Sequence, residues 1–132
     1  MEARTHLRAN PSLCGHIVEL GEERATVALE TSDVMAVDAQ GLVHGGFVFG
    51  LADYAAMLAV NDPNVVLGAA ETKFIQPVRL GDRIVADART EAADGRKRRV
   101  RVEAKVGESV VFVGTFDCFV LEHHVLGGVG SK

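Results

Sequence analysis

A chain of 132 residues, 48% of them hydrophobic, is long enough to bury one core and too short for two domains. Its 18 Asp and Glu against 14 Lys and Arg leave a formal net charge of −4, which argues against a general nucleic-acid binder. Neither a cationic leader with an apolar core nor an apolar run of spanning length is present, so the expectation is a cytoplasmic protein with no membrane partner.

Residues 1–14 are polar and irregular, and Asn10-Pro11-Ser12 disfavours a long helix there, which predicts an N-terminal arm. A single domain is expected over 15–122, with a fraying tail over 123–132. Cys14 and Cys118 lack Cys-x-x-Cys spacing and predict reduced thiols, with Cys118 in the core. The five histidines show no zinc spacing, because the adjacent side chains of His123-His124 diverge and no ligand partners accompany them.

From Gly15 the pattern predicts two strands, His16 to Leu20 and Arg24 to Glu30, turning at Gly21-Glu22-Glu23, with Ala25, Val27 and Leu29 sharing one face. Thr31 to Val43 mixes apolar residues with Asp33, Asp38 and Gly41 and reads as a functional loop that delivers His44 to the start of a helix. That helix, from near Gly46 to Asn61, is apolar nearly all round and predicts a buried element. Its small residues, Gly50, Ala52, Ala55, Ala56 and Ala59, let a sheet approach closely.

Asn61-Asp62-Pro63-Asn64 stops the helix, and Val65 to Ile75 follows as a strand ended by Gln76-Pro77. Further strands are predicted from Arg83 to Thr90, Lys97 to Val106 and Val110 to Leu121, the last nearly all apolar and therefore central. Two strands, one long helix and four strands joined mostly by short turns give an α+β domain with a largely antiparallel sheet. One helix covers one face of such a sheet, so the remaining apolar face is expected to meet another protomer or be partly solvated, with dimerisation preferred.

Asp53 is the one charged side chain between Gly45 and Asn61, and its i±3 and i±4 neighbours, Phe49, Gly50, Ala56 and Met57, cannot neutralise it. It is either a base or nucleophile or a structural carboxylate paired with a distant Arg. The glycines after His44 place first-turn amides without intrahelical acceptors where another backbone or ligand can approach, so Gly45 or Gly46 can donate to an oxyanion. His44 is either a loop-ordering hydrogen-bond partner or a direct participant.

His44-Gly45-Gly46, Leu51-Ala52-Asp53 with Asp53 eight positions after Gly45, the closing Asn61, and Phe74-Ile75-Gln76-Pro77-Val78-Arg79-Leu80-Gly81-Asp82 together resemble the hotdog-fold acyl-CoA thioesterases of the PaaI-like type. The resemblance covers nearly the whole domain. It implies a sheet wrapped around the central helix, a homodimer with two joint active sites at its interface, often paired into a homotetramer, an acyl-CoA substrate and no cofactor. It further implies that the Gly45 amide polarises the thioester carbonyl, that Asp53 of the other protomer activates water or attacks directly, and that His44 positions the loop or substrate.

Gly46, Asp38 and Asn61 complete the candidate substrate-binding set. Relatives often carry Asn six positions before the motif histidine, where this chain has Asp38, which accepts hydrogen bonds but when ionised donates none. For the CoA phosphates, Arg96-Lys97-Arg98-Arg99 with Arg101 and Lys105 is the local candidate, Arg96 and Arg99 foremost; the alternative is a solvated strand face. Two other readings remain: a non-catalytic acyl-CoA-binding or sensing module on the same fold, and a hotdog hydratase or dehydratase, for which no separate Asp-to-His signature is present.

Overall fold

The computed structural model describes residues 1–127, so residues 128–132 of the expected tail lie outside them. Asn10 caps a single turn, α1 (Pro11–Cys14), by accepting from the Ser12 amide at 2.8 Å. The Asn-Pro step that argues against a long helix thus starts a short one, since proline suits the first helical position. β1 (His16–Gly21) and β2 (Arg24–Glu30) form a hairpin, a single 3-10 turn spans Asp33–Met35, and α2 (Gly45–Val60) follows. β3 (Val65–Phe74), β4 (Arg83–Asp94), β5 (Lys97–Val106) and β6 (Ser109–Val120) complete one antiparallel sheet in the order β1-β2-β4-β5-β6-β3.

This is the hotdog architecture: α2 lies on one face of the sheet, mainly across β2, β4 and β5. Ala52, Ala55, Ala56 and Ala59 are buried on the helix, and their small side chains permit the approach of Ala86, Ala88 and Ala104 from the sheet. Phe112 and Phe116 of β6 fill the core beside them, and Cys118 is buried as predicted. Among the described residues no helix is long and apolar enough to cross a membrane.

One expectation is corrected. β4 continues four residues past Thr90, because Ala92, Ala93 and Asp94 pair with Arg99, Arg98 and Lys97 after a bulge; hairpin pairing overrides the weak strand propensity of Glu91-Ala92-Ala93. The second face of the sheet follows the second of the two alternatives, partial solvation. Alternation along the strands places Arg24, Asp87, Arg89, Arg99, Arg101 and Lys105 there, so it is a charged and solvated face.

The junction between α1 and β1 depends on Gly15, which is buried at φ +104. A Cβ at this position would stand 2.8 Å from Val27 Cγ1, 2.9 Å from the Ala28 carbonyl oxygen and 2.9 Å from Leu51 Cδ1. Gly15→Ala therefore combines left-handed backbone strain with overpacking and is expected to destabilise the fold by about 2–4 kcal/mol. Urea unfolding checks this, with a fall in midpoint at constant slope as the expected result.

Candidate active site

The loop before α2 is held as a small hairpin. Val37 donates to the Leu42 carbonyl at 2.8 Å, Val43 to the Val78 carbonyl at 2.9 Å, and His44 to the Met35 carbonyl at 2.9 Å. Asp38 shapes its tip, one carboxylate oxygen accepting from the amides of Gln40 at 3.0 Å and Leu42 at 3.1 Å. An acceptor-only side chain suits that task.

His44 is the N-cap of α2, in extended backbone, and its Nδ1 accepts from the Gly46 amide at 2.7 Å. The acceptor role of Nδ1 assigns the ring proton to Nε2. Phe47 donates to the His44 carbonyl at 3.1 Å. With the Gly46 and Phe47 amides engaged, Gly45 carries the first-turn N–H without an acceptor among the described residues. It borders a cavity of about 300 Å³ lined by Val43, Val48, Phe74, Pro77 and Val111. Any Cβ at Gly45 would come within 3.2 Å of the Phe74 ring, so glycine keeps the amide open to this space.

Two turns along the helix, Asp53 faces a second cavity of about 490 Å³, shared with Thr5, His6, Met57, Pro63 and Leu67. Its Oδ1 is buried and has no hydrogen-bond partner, and among the described residues no Arg or Lys forms an ion pair with it. Burial raises its pKa from 3.8 to about 6. The Cys118 thiol is pushed up to about 12, chiefly by burial and then by the nearby negative charges of Asp53 and Asp117, so it is no nucleophile at neutral pH.

The remaining candidates are placed elsewhere. Asn61 closes α2 in the left-handed conformation at φ 54, and its side chain is taken up by the N-terminal segment. Arg96 pairs with Glu122 at 2.8 Å and Arg99 with Asp117 at 3.3 Å, both on the exposed sheet surface. Neither arginine lines the Gly45 or the Asp53 cavity. Sequence reasoning missed Thr5 and His6 as neighbours of Asp53, because nothing in a polar N-terminal segment signals which helix end it folds back onto.

Comparison with known proteins gives a consistent picture of the domain. The thioesterase superfamily matches residues 40–113, a segment that includes His44, Gly45, Asp53 and the Phe74-to-Asp82 motif. A crystal structure of an uncharacterised protein from Pyrococcus horikoshii superposes with TM-score 0.95 at 53% identity, covering 96% of this chain and 98% of that one. A mutant of the phenylacetic acid degradation protein PaaI from Thermus thermophilus superposes with TM-score 0.76 at 30% identity, covering 83% and 95%.

Among curated sequences, the chain is 51% identical over 116 residues to a methylthioribose-1-phosphate isomerase from Aquifex aeolicus, covering 88% of this chain and 25% of that protein. It is 33% identical over 109 residues to the transcription factor FapR of Caldanaerobacter subterraneus subsp. tengcongensis, covering 83% of this chain and 54% of that protein. The chain thus spans a quarter of the first and about half of the second.

Proposed function

The chain belongs to the thioesterase superfamily, and from that premise we propose that it hydrolyses an acyl-CoA thioester to a carboxylate and free CoA. The observation that carries the proposal is the buried, unpartnered Asp53 oxygen, held in a cavity with a pKa near 6. A carboxylate needed only for structure would have an ion-pair or hydrogen-bond partner, whereas a base tuned toward neutrality works best near its own pKa. Asp53 takes a proton from water as the water oxygen bonds to the thioester carbonyl carbon. The Gly45 amide holds the resulting oxyanion, the C–S bond breaks, and the thiolate receives the proton from Asp53. In the covalent variant, the Asp53 carboxylate itself attacks, the thiolate leaves, and water hydrolyses the mixed anhydride.

Gly45 and Asp53 are separated by about 12 Å along one helix axis, so both cannot touch one carbonyl from a single chain. Two copies solve this. β3 is an edge strand; its start, Val65 to Leu67, borders the Asp53 cavity, and its end, Phe74, borders the Gly45 cavity. Antiparallel pairing of two β3 edges about a two-fold axis brings the start of one beside the end of the other, joining Asp53 of one copy to Gly45 of its partner. A homodimer, with pairing into a homotetramer open to it, follows.

Thiol release from a panel of short, medium, long and aryl acyl-CoAs tests the activity. The expected pH profile of kcat/KM rises with unit logarithmic slope to a plateau above about 6, since only the ionised Asp53 acts; a flat profile from pH 5 to 8 would remove it from the mechanism. The similarity to a transcription factor supports a second reading, an acyl-CoA-sensing module without turnover. Stabilisation by acyl-CoA with no thiol release would establish that reading instead.

A further inference from the structure

The cavity beside Asp53 is bordered on one side by the N-terminal segment, and that segment is fixed by two bonds from one side chain. Asn61 Oδ1 accepts from the Arg4 amide at 2.7 Å, and Asn61 Nδ2 donates to the Glu2 carbonyl at 2.9 Å. Thr5 is buried to 5% exposure, and its hydroxyl lies 2.8 Å from His6 Nδ1. On the far side of His6, the Ala9 amide donates to the His6 carbonyl at 3.1 Å. Between these ties His6 is held at φ 55, a conformation a non-glycine residue adopts when its surroundings impose it. Its ring sits 6.5 Å from that of Tyr54, the α2 residue next to Asp53.

We propose that residues 3–8, clamped onto the C-terminal end of α2 by Asn61, form the specificity-determining wall of the acyl cavity, with His6 and Thr5 limiting the length of an uncharged acyl chain. The inference rests on the thioester reading of Asp53 given above. Thioester hydrolysis places the carbonyl at Asp53, so the space adjoining Asp53 receives one of the two arms of the substrate. Met57, Pro63, Val65, Leu67 and Val125 make that space largely apolar, and it contains no Lys or Arg, which suits an acyl chain and not the phosphates of CoA.

The lining also selects against charge on the acyl group. A second carboxylate would lie near Asp53 with no Lys or Arg in the lining to offset the repulsion; the lining's two imidazoles are those of His124 and of His6, which desolvation keeps toward its neutral form. Asn61 acts through the segment it holds and is a positioning residue; His6 and Thr5 are the groups that meet the end of the chain.

Two substitutions test the wall without breaking the fold. Glycine adopts positive φ freely, so Asn61→Gly preserves the helix C-cap while deleting both clamping bonds, and His6→Gly relieves backbone strain while deleting the ring. The readout is the ratio of kcat/KM for decanoyl-CoA to that for acetyl-CoA in the full chain. Each variant is expected to raise this ratio by about tenfold, the gain from burying about two further methylene groups. Arg4 and Arg8 are exposed, and Asn61→Gly should free the backbone around them for trypsin cleavage.

An unchanged ratio in His6→Gly overturns the inference, as does an unchanged ratio in Asn61→Gly when the segment has become trypsin-sensitive. If the wild-type protein releases no thiol from any acyl-CoA, the hydrolytic reading fails by itself. The same ratio taken from dissociation constants then decides the wall: a tenfold shift toward decanoyl-CoA supports it and no shift overturns it.

Discussion

Asp53→Asn is expected to lower thioester turnover by about 10³-fold, leave assembly intact and raise the melting temperature above pH 6. The substitution keeps the shape of the side chain but removes the group that accepts a proton or attacks the carbonyl. A carboxylate with only a structural role behaves in the opposite way, because deleting one member of a buried pair leaves its partner uncompensated. Here there is no partner to strand.

The folded-state pKa of Asp53 stands above its ordinary value, so the native state holds the proton more tightly than the unfolded chain. Stability from this group is full below about pH 4 and is lost as pH rises through about 6. At pH 7.5 the charged form destabilises the fold by about 2 kcal/mol once residual solvent contact is allowed for. Asparagine escapes this term, and the variant should melt several degrees higher at pH 7.5 while matching the wild type near pH 4. Parallel thermal melts and thiol-release assays check both halves. A variant that loses activity and also loses stability at pH 7.5 would mark Asp53 as structural.

The stretch from His44 to Asn61 was legible from the sequence because one charge in an apolar helix and two glycines at its start are local signals, carried by adjacent residues. The strands were legible for the same reason, since alternation in Arg24 to Glu30 or Lys97 to Val106 directly records which face is buried. What the sequence left open was set by contacts between distant segments. Gly45 and Gly46 are equivalent donors on paper, and only the His44 Nδ1 bond to the Gly46 amide separates them. Asn61 reads as a helix stop, which it is, but its side-chain partners lie 57 and 59 positions away. Within the basic run Arg96 to Arg99, the pairing of Arg96 with Glu122 and of Arg99 with Asp117 is likewise set by residues distant in the chain.

Gly45→Pro is expected to lower turnover by about 10²–10³-fold, the effect of deleting one oxyanion donor. Proline is the one residue that removes the N–H while remaining acceptable at this position. Gly45 is the first residue of α2, where the missing amide hydrogen breaks no helical bond. The preceding residue, His44, already has φ −62 and ψ 132, within the region a residue before proline prefers. The Phe74 ring that a Cβ at Gly45 would meet at 3.2 Å is a side chain, and a shift of a few tenths of an ångström relieves the contact.

The same variant tests whether the site is shared between copies. Homodimers of Gly45→Pro and of Asp53→Asn each carry a lesion at both sites. In a mixed dimer with joint sites, one site takes both lesions and the other takes its Gly45 from the Asp53→Asn chain and its Asp53 from the Gly45→Pro chain, and is intact. Unfolding equal amounts together and reassembling them makes half the dimers mixed, so activity should return to about a quarter of wild type. If both groups acted from one chain, no pairing of the two variants would rebuild a site, and the mixture would stay at the mean of its inactive parents. Recovery therefore turns on the same geometry that separates the two groups along α2: a donor and a base too far apart to meet within a chain can meet only across two.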